Sequence, residues 1–189
     1  MGIYMEPEKP IKLHLGCGKR YIKGFINIDA YDTDLADLTS DVRNLPMEHD
    51  TVDLIYASHV LEHLDTSGMW EAILEWNRVL KKDGVVRISV PNFEAVVDQY
   101  RKGVSLLKLK PFIYGGENAE WDRHFFCFDK ATLISIFAQA GFLWLGEYDW
   151  RKTEHFYIDD YSQAYIPHQD KTSGKLMSLN MEFIKKEDV

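Results

Sequence analysis

Short apolar runs that stop at glycine, proline or a polar pair recur along the chain and predict buried β-strands. Between the later runs, apolar residues recur every three or four positions, which is the period of an amphipathic helix. The predicted strands are 11–15, 25–30, 35–38, 52–57, 85–90, 142–150 and 176–184, and the predicted helices are 68–82, 93–102 and 130–140. Strands that alternate with helices predict a doubly wound α/β fold with a mostly parallel sheet of seven strands.

Two connections in this pattern are unusual. Only residues 19–24 join the first two strands, whereas a parallel crossover usually needs about a dozen residues. Either the first helix is reduced to about one turn, or one of these two strands is misplaced. No helix separates the last two strands, so we expect them to pair antiparallel. The segments 103–128 and 151–175 follow neither period and are predicted to be irregular insertions.

Size and charge narrow the class of protein. The 189 residues fit a single domain, with a core of about 11–150 and 176–185. The net charge of -8 disfavours a general nucleic-acid binder, which needs a basic face. Residues 1–10 lack the apolar run of a signal peptide, and the longest apolar stretch, 133–145, is too short and interrupted to span a bilayer. We therefore expect a cytoplasmic protein without a nucleic-acid or membrane partner.

Candidate chemistry begins at the Gly-Cys-Gly turn at 16–18, which follows the first strand. Ligands of open α/β sheets lie beyond the carboxyl ends of the strands, where glycines let the backbone approach an anion. Tyr21 stands where a dinucleotide-binding fingerprint carries its third glycine, which disfavours a nicotinamide cofactor. The Lys-Arg pair at 19–20 likewise does not match the G-K-S/T sequence of a phosphate-binding loop.

Two carboxylates follow the next strands. Asp29 closes the second strand, where a carboxylate can accept hydrogen bonds from two neighbouring ribose hydroxyls. Asp41 and Val42 follow the third strand, and a carboxylate beside a backbone N–H suits the exocyclic amine and ring nitrogen of adenine. Taken singly, Asp29 also fits a solvated turn residue and Asp41 a helix cap.

These segments together resemble the class I S-adenosylmethionine-dependent methyltransferases, in particular small members linked to polysaccharide and other secondary biosynthesis. The resemblance covers about residues 11–150, and the segments that match in order and spacing are 14–18, Asp29, Asp41 with Leu45-Pro46, 53–63 and 80–84. The short link between the first two strands also occurs in such relatives. The resemblance implies a Rossmann-like fold, S-adenosylmethionine as cofactor and S-adenosylhomocysteine as its product. It also implies methyl transfer to a small-molecule acceptor, for which a hydroxyl of a sugar or glycan precursor is one candidate.

The resemblance also assigns site residues. The implied cofactor-binding residues are His14, Gly16, Cys17, Gly18, Asp29, Ala30, Asp41, Val42, Ser58 and His59. By this resemblance the glycines face the methionine part of the cofactor, Asp29 its ribose and Asp41 its adenine, while Ser58 and His59 line the pocket near the methyl group. His14 departs from the family, because many relatives carry an acidic residue there.

Methyl transfer asks little of the protein beyond alignment, since a sulfonium methyl is already activated. A hydroxyl acceptor also needs a general base. His63 and His124 are the predicted catalytic residues, and His59 is a further candidate base. A non-catalytic role is also open for two of them: His63 could be a structural hydrogen-bond partner, and His124 could be a loop residue without a function. His59 and His63 have the spacing of a metal-binding pair, but no third ligand stands out, and no metal is predicted.

The acceptor and the quaternary state stay open. The aromatic residues of the insertions either stack on a sugar or aromatic acceptor or cover an edge of the core: Tyr114, Trp121, Tyr157, Tyr161 and Tyr165. Alternative functions are aminopropyl-type transfer on the same cofactor, a non-catalytic cofactor-binding relative that serves as scaffold or partner subunit, and a nicotinamide-dependent oxidoreductase fragment. Both a monomer and a homodimer are compatible with the sequence.

Overall fold

The computed structural model describes residues 9–31, 34–116 and 122–186, and its centre is a seven-stranded sheet. The strands of this sheet are β1 (Lys12–Leu15), β2 (Ile26–Asp29), β3 (Leu38–Thr39), β4 (Val52–Ser58), β5 (Leu80–Pro91), β6 (Phe142–Glu147) and β9 (Ser178–Lys185). A separate pair consists of β7 (Tyr165–Ile166) and β8 (Lys175–Leu176). The helices are α1 (Thr66–Val79), α2 (Phe93–Arg101), α3 (Leu106–Tyr114) and α4 (Lys130–Gln139).

The strand order is β3-β2-β1-β4-β5-β9-β6. The first five strands pair parallel, and β9 pairs antiparallel with both β5 and β6. The predicted α/β fold, the seven strands and the antiparallel last strand are confirmed. The carboxyl ends of β1, β2 and β4 meet at one edge of the sheet, so the residues that follow them lie close together.

Both strands around the short link at 19–24 are present, and the link contains turns instead of a helix. Arg20 N donates to the Cys17 carbonyl at 2.9 Å, and Phe25 N donates to the Ile22 carbonyl at 3.2 Å. The buried Asn27 side chain supplies the partners that a helix would have supplied, because its Oδ1 accepts from Ile22 N and its Nδ2 donates to the Ile22 and Phe25 carbonyls. The first of the two sequence alternatives is therefore the correct one.

The two faces of the sheet are covered differently. Alternate residues of β1 and β4, such as Leu13 and Ile55, pack with α1 and α4 in the main core. The residues between them face the other side, where Leu54 and Tyr56 pack against Ile22 and Phe25 of the short link. Tyr148, which follows β6, and Ile158 of the insertion 151–175 pack against this second face.

Helix boundaries differ from the sequence prediction in two places. Helix α1 ends at Val79 and not at residue 82, because Leu80 already pairs with Val52 as the first residue of β5. Residues 106–114 form α3 inside the segment predicted to be irregular. The proline within it, Pro111, lacks a backbone N–H and normally disfavours a helix interior, which explains the wrong prediction. The predicted cap of α4 is confirmed, since the Asp129 carboxylate accepts from Thr132 N at 2.8 Å.

In the part of the chain that the structure describes, no helix has both the length and the apolar character needed to span a membrane.

Candidate active site

The two glycines of the turn after β1 have left-handed backbones but different surroundings. Gly16 has φ +64°, and a Cβ atom there would lie 2.5 Å from Val60 Cγ2. Gly18 has φ +52°, and a Cβ there would meet no atom within 4 Å. The first glycine thus permits close packing, whereas the second borders open space at the edge where ligands of such sheets bind.

Asp29 joins the end of β2 to this turn. Its side chain is buried, and its Oδ2 accepts from Gly18 N at 2.7 Å while Oδ1 accepts from Tyr31 N at 3.0 Å. An ionised carboxylate has about four acceptor positions, so both oxygens keep a lone pair for a further donor. Ala30, the next residue, is exposed beside it.

Asp41 lies beyond β3 and its carboxylate already has a partner. Arg43 binds it through Nε at 2.9 Å and Nη2 at 2.6 Å, and these hydrogen bonds lower the pKa of Asp41. The neighbouring Val42 is buried, and its carbonyl accepts from Trp76 Nε1 at 3.0 Å. A contact between Asp41 and an adenine amine would therefore share the carboxylate with Arg43, a competition that the sequence did not indicate.

His14 and Cys17 are both buried. His14 is only 2% exposed; its ring stacks on Tyr56 with centroids 5.5 Å apart. Its Nδ1 lies 2.9 Å from Asn27 Oδ1, and burial lowers the pKa of His14. Cys17 N donates to the Ile28 carbonyl at 3.1 Å. Both residues are thus packed beneath the surface near the ends of β1 and β2. Their contacts with a cofactor stay predictions.

A cavity of about 540 Å³ opens next to the end of β4. One wall comes from α3 and the residues after it, and the other from the insertion 151–175. His59, His63 and His124 all line it, so the fold brings together the three histidines that the sequence proposed as bases. Ser58, before His59, has a buried Oγ without a hydrogen-bond partner among the described residues.

Each of these histidines is held differently. His59 has a left-handed φ of +56°; its Nδ1 lies 2.9 Å from Glu62 Oε1, and its Nε2 lies 3.3 Å from Ser178 Oγ. His63 Nδ1 donates to the Arg123 carbonyl at 3.2 Å, since that oxygen can only accept. The rings of His63 and His124 meet edge to face with centroids 4.9 Å apart.

The protonation of this group follows from its surroundings. Burial lowers the pKa of His124, so its imidazole is neutral at pH 7 and offers a lone pair. Glu62 is 0% exposed; burial alone would raise the pKa of Glu62, but His59 and His63 outweigh it and lower that pKa. Glu62 was not among the predicted site residues. Its position directly before His63 was the available signal.

The aromatic residues of the insertions divide into two groups. Tyr161 and Tyr165 line the cavity, and the Arg20 guanidinium lies 5.0 Å from the Tyr161 ring centroid. Tyr114 and Tyr157 are exposed and do not line the cavity. Trp121 lies outside the described residues.

Comparison with solved structures gives the same fold. A methyltransferase from Methanosarcina mazei described as S-adenosylmethionine-dependent superposes with a TM-score of 0.58 at 15% identity, covering 98% of this chain and 96% of its own. The Burkholderia thailandensis 1,6-didemethyltoxoflavin-N1-methyltransferase, crystallised with its substrate and S-adenosylhomocysteine, gives a TM-score of 0.55 at 12% identity. Here the coverage is 95% of this chain and 72% of the other.

A family model matches part of the sequence. Residues 23–88, which contain Asp29, Asp41 and the histidines after β4, match the family model described as a methyltransferase domain. This match, together with the shared fold, supports a class I S-adenosylmethionine-dependent methyltransferase. No curated protein sequence matches it.

In this methyltransferase the residues at the strand ends fit S-adenosylmethionine. Gly18 borders open space, Asp29 keeps acceptor capacity on both oxygens, and Ser58 Oγ is buried without a partner. At the ends of β1, β2 and β4 they offer open space beside a glycine backbone, spare carboxylate acceptors and a hydroxyl without a partner among the described residues, which could hold the cofactor. The bound cofactor supplies a methyl group already activated by its positive sulfur.

Proposed function

We propose that this protein transfers the methyl group of S-adenosylmethionine to a small-molecule acceptor, and that the accepting group is a hydroxyl of a sugar or glycan precursor. The observation that carries the proposal is the cavity of about 540 Å³ beside the end of β4. It has the volume of a small-molecule site. Its wall combines four histidines with two tyrosines, which suits a polar, ring-shaped acceptor.

The protein's first contribution is alignment. Displacement at a methyl group requires the accepting oxygen to approach in line with the bond that breaks, and holding both partners in place lowers the barrier by up to about 7–11 kcal/mol in favourable cases. Asp29 and the glycine turn fix the cofactor side. The walls of the cavity restrict the acceptor and exclude water from it.

The second contribution is proton removal. A hydroxyl that accepts a methyl group must lose its proton, and a positioned base contributes about 10²- to 10⁴-fold. The rings of His124 and His63 both line the cavity, so either is placed to accept this proton, and burial lowers the pKa of His124. His59, next to Glu62, is the third candidate.

The third contribution is recognition of the acceptor ring. Tyr161 and Tyr165 present aromatic surface to the cavity, and the Tyr161 side chain is 56% exposed. Faces of sugar rings carry C–H groups that pack on such surfaces, while the hydroxyls need polar partners like those of the histidines.

The first experiment is calorimetric titration with S-adenosylmethionine, S-adenosylhomocysteine and NAD, followed by methyl-transfer assays on a panel of sugars and nucleotide sugars. We expect micromolar binding of both sulfur compounds, no binding of NAD, and a methylated sugar identified by mass spectrometry. Absence of binding by either sulfur compound would overturn the proposal. Binding without transfer to any acceptor would favour a scaffold role, and transfer of an aminopropyl group would identify the other alternative.

Asp29→Ala tests the site assignment directly. Hydrogen bonds to a charged group are worth about 1.5–3 kcal/mol each, so loss of the carboxylate is expected to weaken S-adenosylmethionine binding at least about tenfold. Asp34→Ala, which removes an exposed carboxylate in the turn after β2, is the matched control and should leave the affinity unchanged. If a folded Asp29→Ala variant binds S-adenosylmethionine as tightly as the control does, the ribose of the cofactor must bind at another residue.

A further inference from the structure

Two side chains that line the cavity, His63 and His124, converge with the buried Glu62 behind them. Glu62, His63 and His124 each offer one ligand atom, and these atoms all lie within 4.8 Å of one another. Glu62 and His63 belong to the short 3-10 turn after β4, whereas His124 comes from the segment that follows α3. Two hydrogen bonds join these segments: Phe125 N donates to the Glu62 carbonyl at 2.7 Å, and His63 Nδ1 donates to the Arg123 carbonyl.

The polar atoms of this cluster lack the partners that burial demands. Glu62 is fully buried, and neither of its carboxylate oxygens has a partner with hydrogen-bond geometry among the described residues. His59 Nδ1 lies 2.9 Å from Glu62 Oε1, which is close enough for an ion pair, but the angles are not those of a hydrogen bond. His124 Nδ1 is also buried and without a partner among the residues described. A buried carboxylate that lacks donors is costly unless a cation satisfies it.

The imidazole of His63 is already oriented as a ligand. Its Nδ1 proton goes to a backbone carbonyl, which leaves Nε2 with a free lone pair. A backbone carbonyl or carboxylate behind the ring is the usual arrangement for a metal-binding histidine, because it fixes the tautomer and the ring plane. The cluster thus has two imidazoles and one carboxylate, and the His63 ring is oriented by its hydrogen bond to the Arg123 carbonyl.

We propose that Glu62, His63 and His124 bind a divalent first-row transition cation at the rim of the cavity. Two imidazoles and a carboxylate are a ligand set for Zn²⁺ or its neighbours such as Co²⁺, and three protein ligands leave a coordination position open. His63 and His124 both line the cavity, so that position faces the acceptor space. The sequence offered His59 and His63 as a pair without a third ligand; the fold supplies Glu62 and His124 instead.

A cation here would also change the proton chemistry, and this part rests on the proposed function. An acceptor hydroxyl bound to a divalent cation loses its proton at a lower pH, as a bound water does. The imidazoles of His63 and His124 would then hold the cation and not take the proton themselves. The ring of His59, which also lines the cavity, would remain as a candidate to receive that proton.

The test is titration of chelator-treated protein with Co²⁺ and Zn²⁺, followed by the visible absorption of Co²⁺ and by calorimetry. We expect saturable binding of one ion per chain and Co²⁺ bands of the intensity typical of four or five ligands. Loss of a direct ligand should exceed the 10- to 100-fold effect of a supporting residue, so His124→Gln and Glu62→Gln should each weaken binding by more than about 100-fold. His49→Gln removes an exposed histidine outside the cluster and is expected to keep the wild-type affinity and spectrum.

Folding is checked by circular dichroism, and His124→Gln serves alone if Glu62→Gln does not fold. The absence of saturable binding would overturn the proposal. Equal loss in His49→Gln, or no loss in His124→Gln, would also overturn it, because the ion would then bind elsewhere. Binding of S-adenosylmethionine in the same samples separates the two proposals: it is expected to persist in the variants, and its absence in the wild type would count against the proposed function alone.

Discussion

Gly16 and Gly18 have the same backbone hand, yet their substitution should have different costs. A Cβ at Gly16 overlaps Val60, whereas a Cβ at Gly18 meets open space. We therefore expect Gly16→Ala to lower the free energy of unfolding by more than the ~1 kcal/mol expected of Gly18→Ala, which suffers only backbone strain. Urea unfolding of both variants measures the difference.

Val60→Ala in the Gly16→Ala background provides the control. Removing the Val60 methyl groups should relieve the overlap but not the strain, so the double variant should regain part of the loss after correction for Val60→Ala alone. Equal destabilisation by the two single alanine variants would show that the contact with Val60 has no energetic weight.

The buried His155 should make the protein sensitive to mild acid. The ring lies 4.1 Å from the Tyr56 ring, neither of its nitrogens has a hydrogen-bond partner among the described residues, and burial lowers the pKa of His155 to about 4. The folded state keeps this ring neutral, while the unfolded state binds a proton below its ordinary pKa of 6.5. The free energy of unfolding should thus fall as the pH drops from 6.5 to 4.

His155→Phe keeps an aromatic ring and removes this titration. We expect a smaller fall in its free energy of unfolding than in the wild type between pH 6.5 and 4, measured by urea unfolding at several pH values. Burial raises the pKa of Glu154, but hydrogen bonds from Arg87 and Lys12 lower it to about 2. The protonation of Glu154 therefore changes the free energy of unfolding mainly at pH values below this window. The same fall in both proteins would contradict the assignment.

At the scale of single residues, the sequence predicted the cofactor side better than the acid–base side. Gly18 follows the end of β1 and Asp29 ends the neighbouring parallel strand β2, so the strand pattern itself brings them together. Glu62 and the pairing of Arg43 with Asp41 were missed. Their importance depends on how deeply they are buried and on which side chains they contact, and the amino-acid sequence shows neither property.

At the scale of elements, a stacked pair of rings is one of the contacts between β9 and the helix layer. Phe183 is fully buried and lies parallel to Phe137 of α4, with centroids 4.1 Å apart. Phe183→Ala is expected to lower the free energy of unfolding by about 3–5 kcal/mol, since removal of a core ring leaves a cavity. Leu143→Ala, on neighbouring β6 and 51% exposed, should change it by about 0.5 kcal/mol or less. A similar cost for both would mean that this layer repacks freely.

The elements themselves were predictable where period and caps agreed. The start of helix α4 was predicted correctly because the capping residue Asp129 and the apolar spacing after it both indicate a helix that begins at residue 130. Helix α3 was missed because Pro111 contradicts a helix locally, while its burial of Leu109 against Ala95 and Met177 depends on distant segments. Packing of this kind outweighs propensity and is not encoded within the segment.

At the scale of the whole molecule, one buried and one exposed hydrogen bond join the insertion 151–175 to the sheet and to the link between β1 and β2. Tyr56 OH donates to Asp160 Oδ2 at 2.5 Å, and Arg20 Nε donates to the Asp159 carbonyl at 2.8 Å. Tyr56→Phe keeps the ring and removes the first contact. We expect faster amide hydrogen exchange across 156–166 with little change in β1 and β4, because the insertion opens locally more often. Unchanged exchange there would show that other contacts suffice to hold it.

The position of β9 also has a consequence for synthesis on the ribosome. Strands β5 and β6 do not pair with each other; each pairs with β9, which follows both in the chain. A nascent chain that has released β6 therefore still exposes two unpaired strand edges until β9 emerges. Closure of the sheet is a late event in this order, and any translational pause between β6 and β9 prolongs the interval in which the chain is open to wrong pairing.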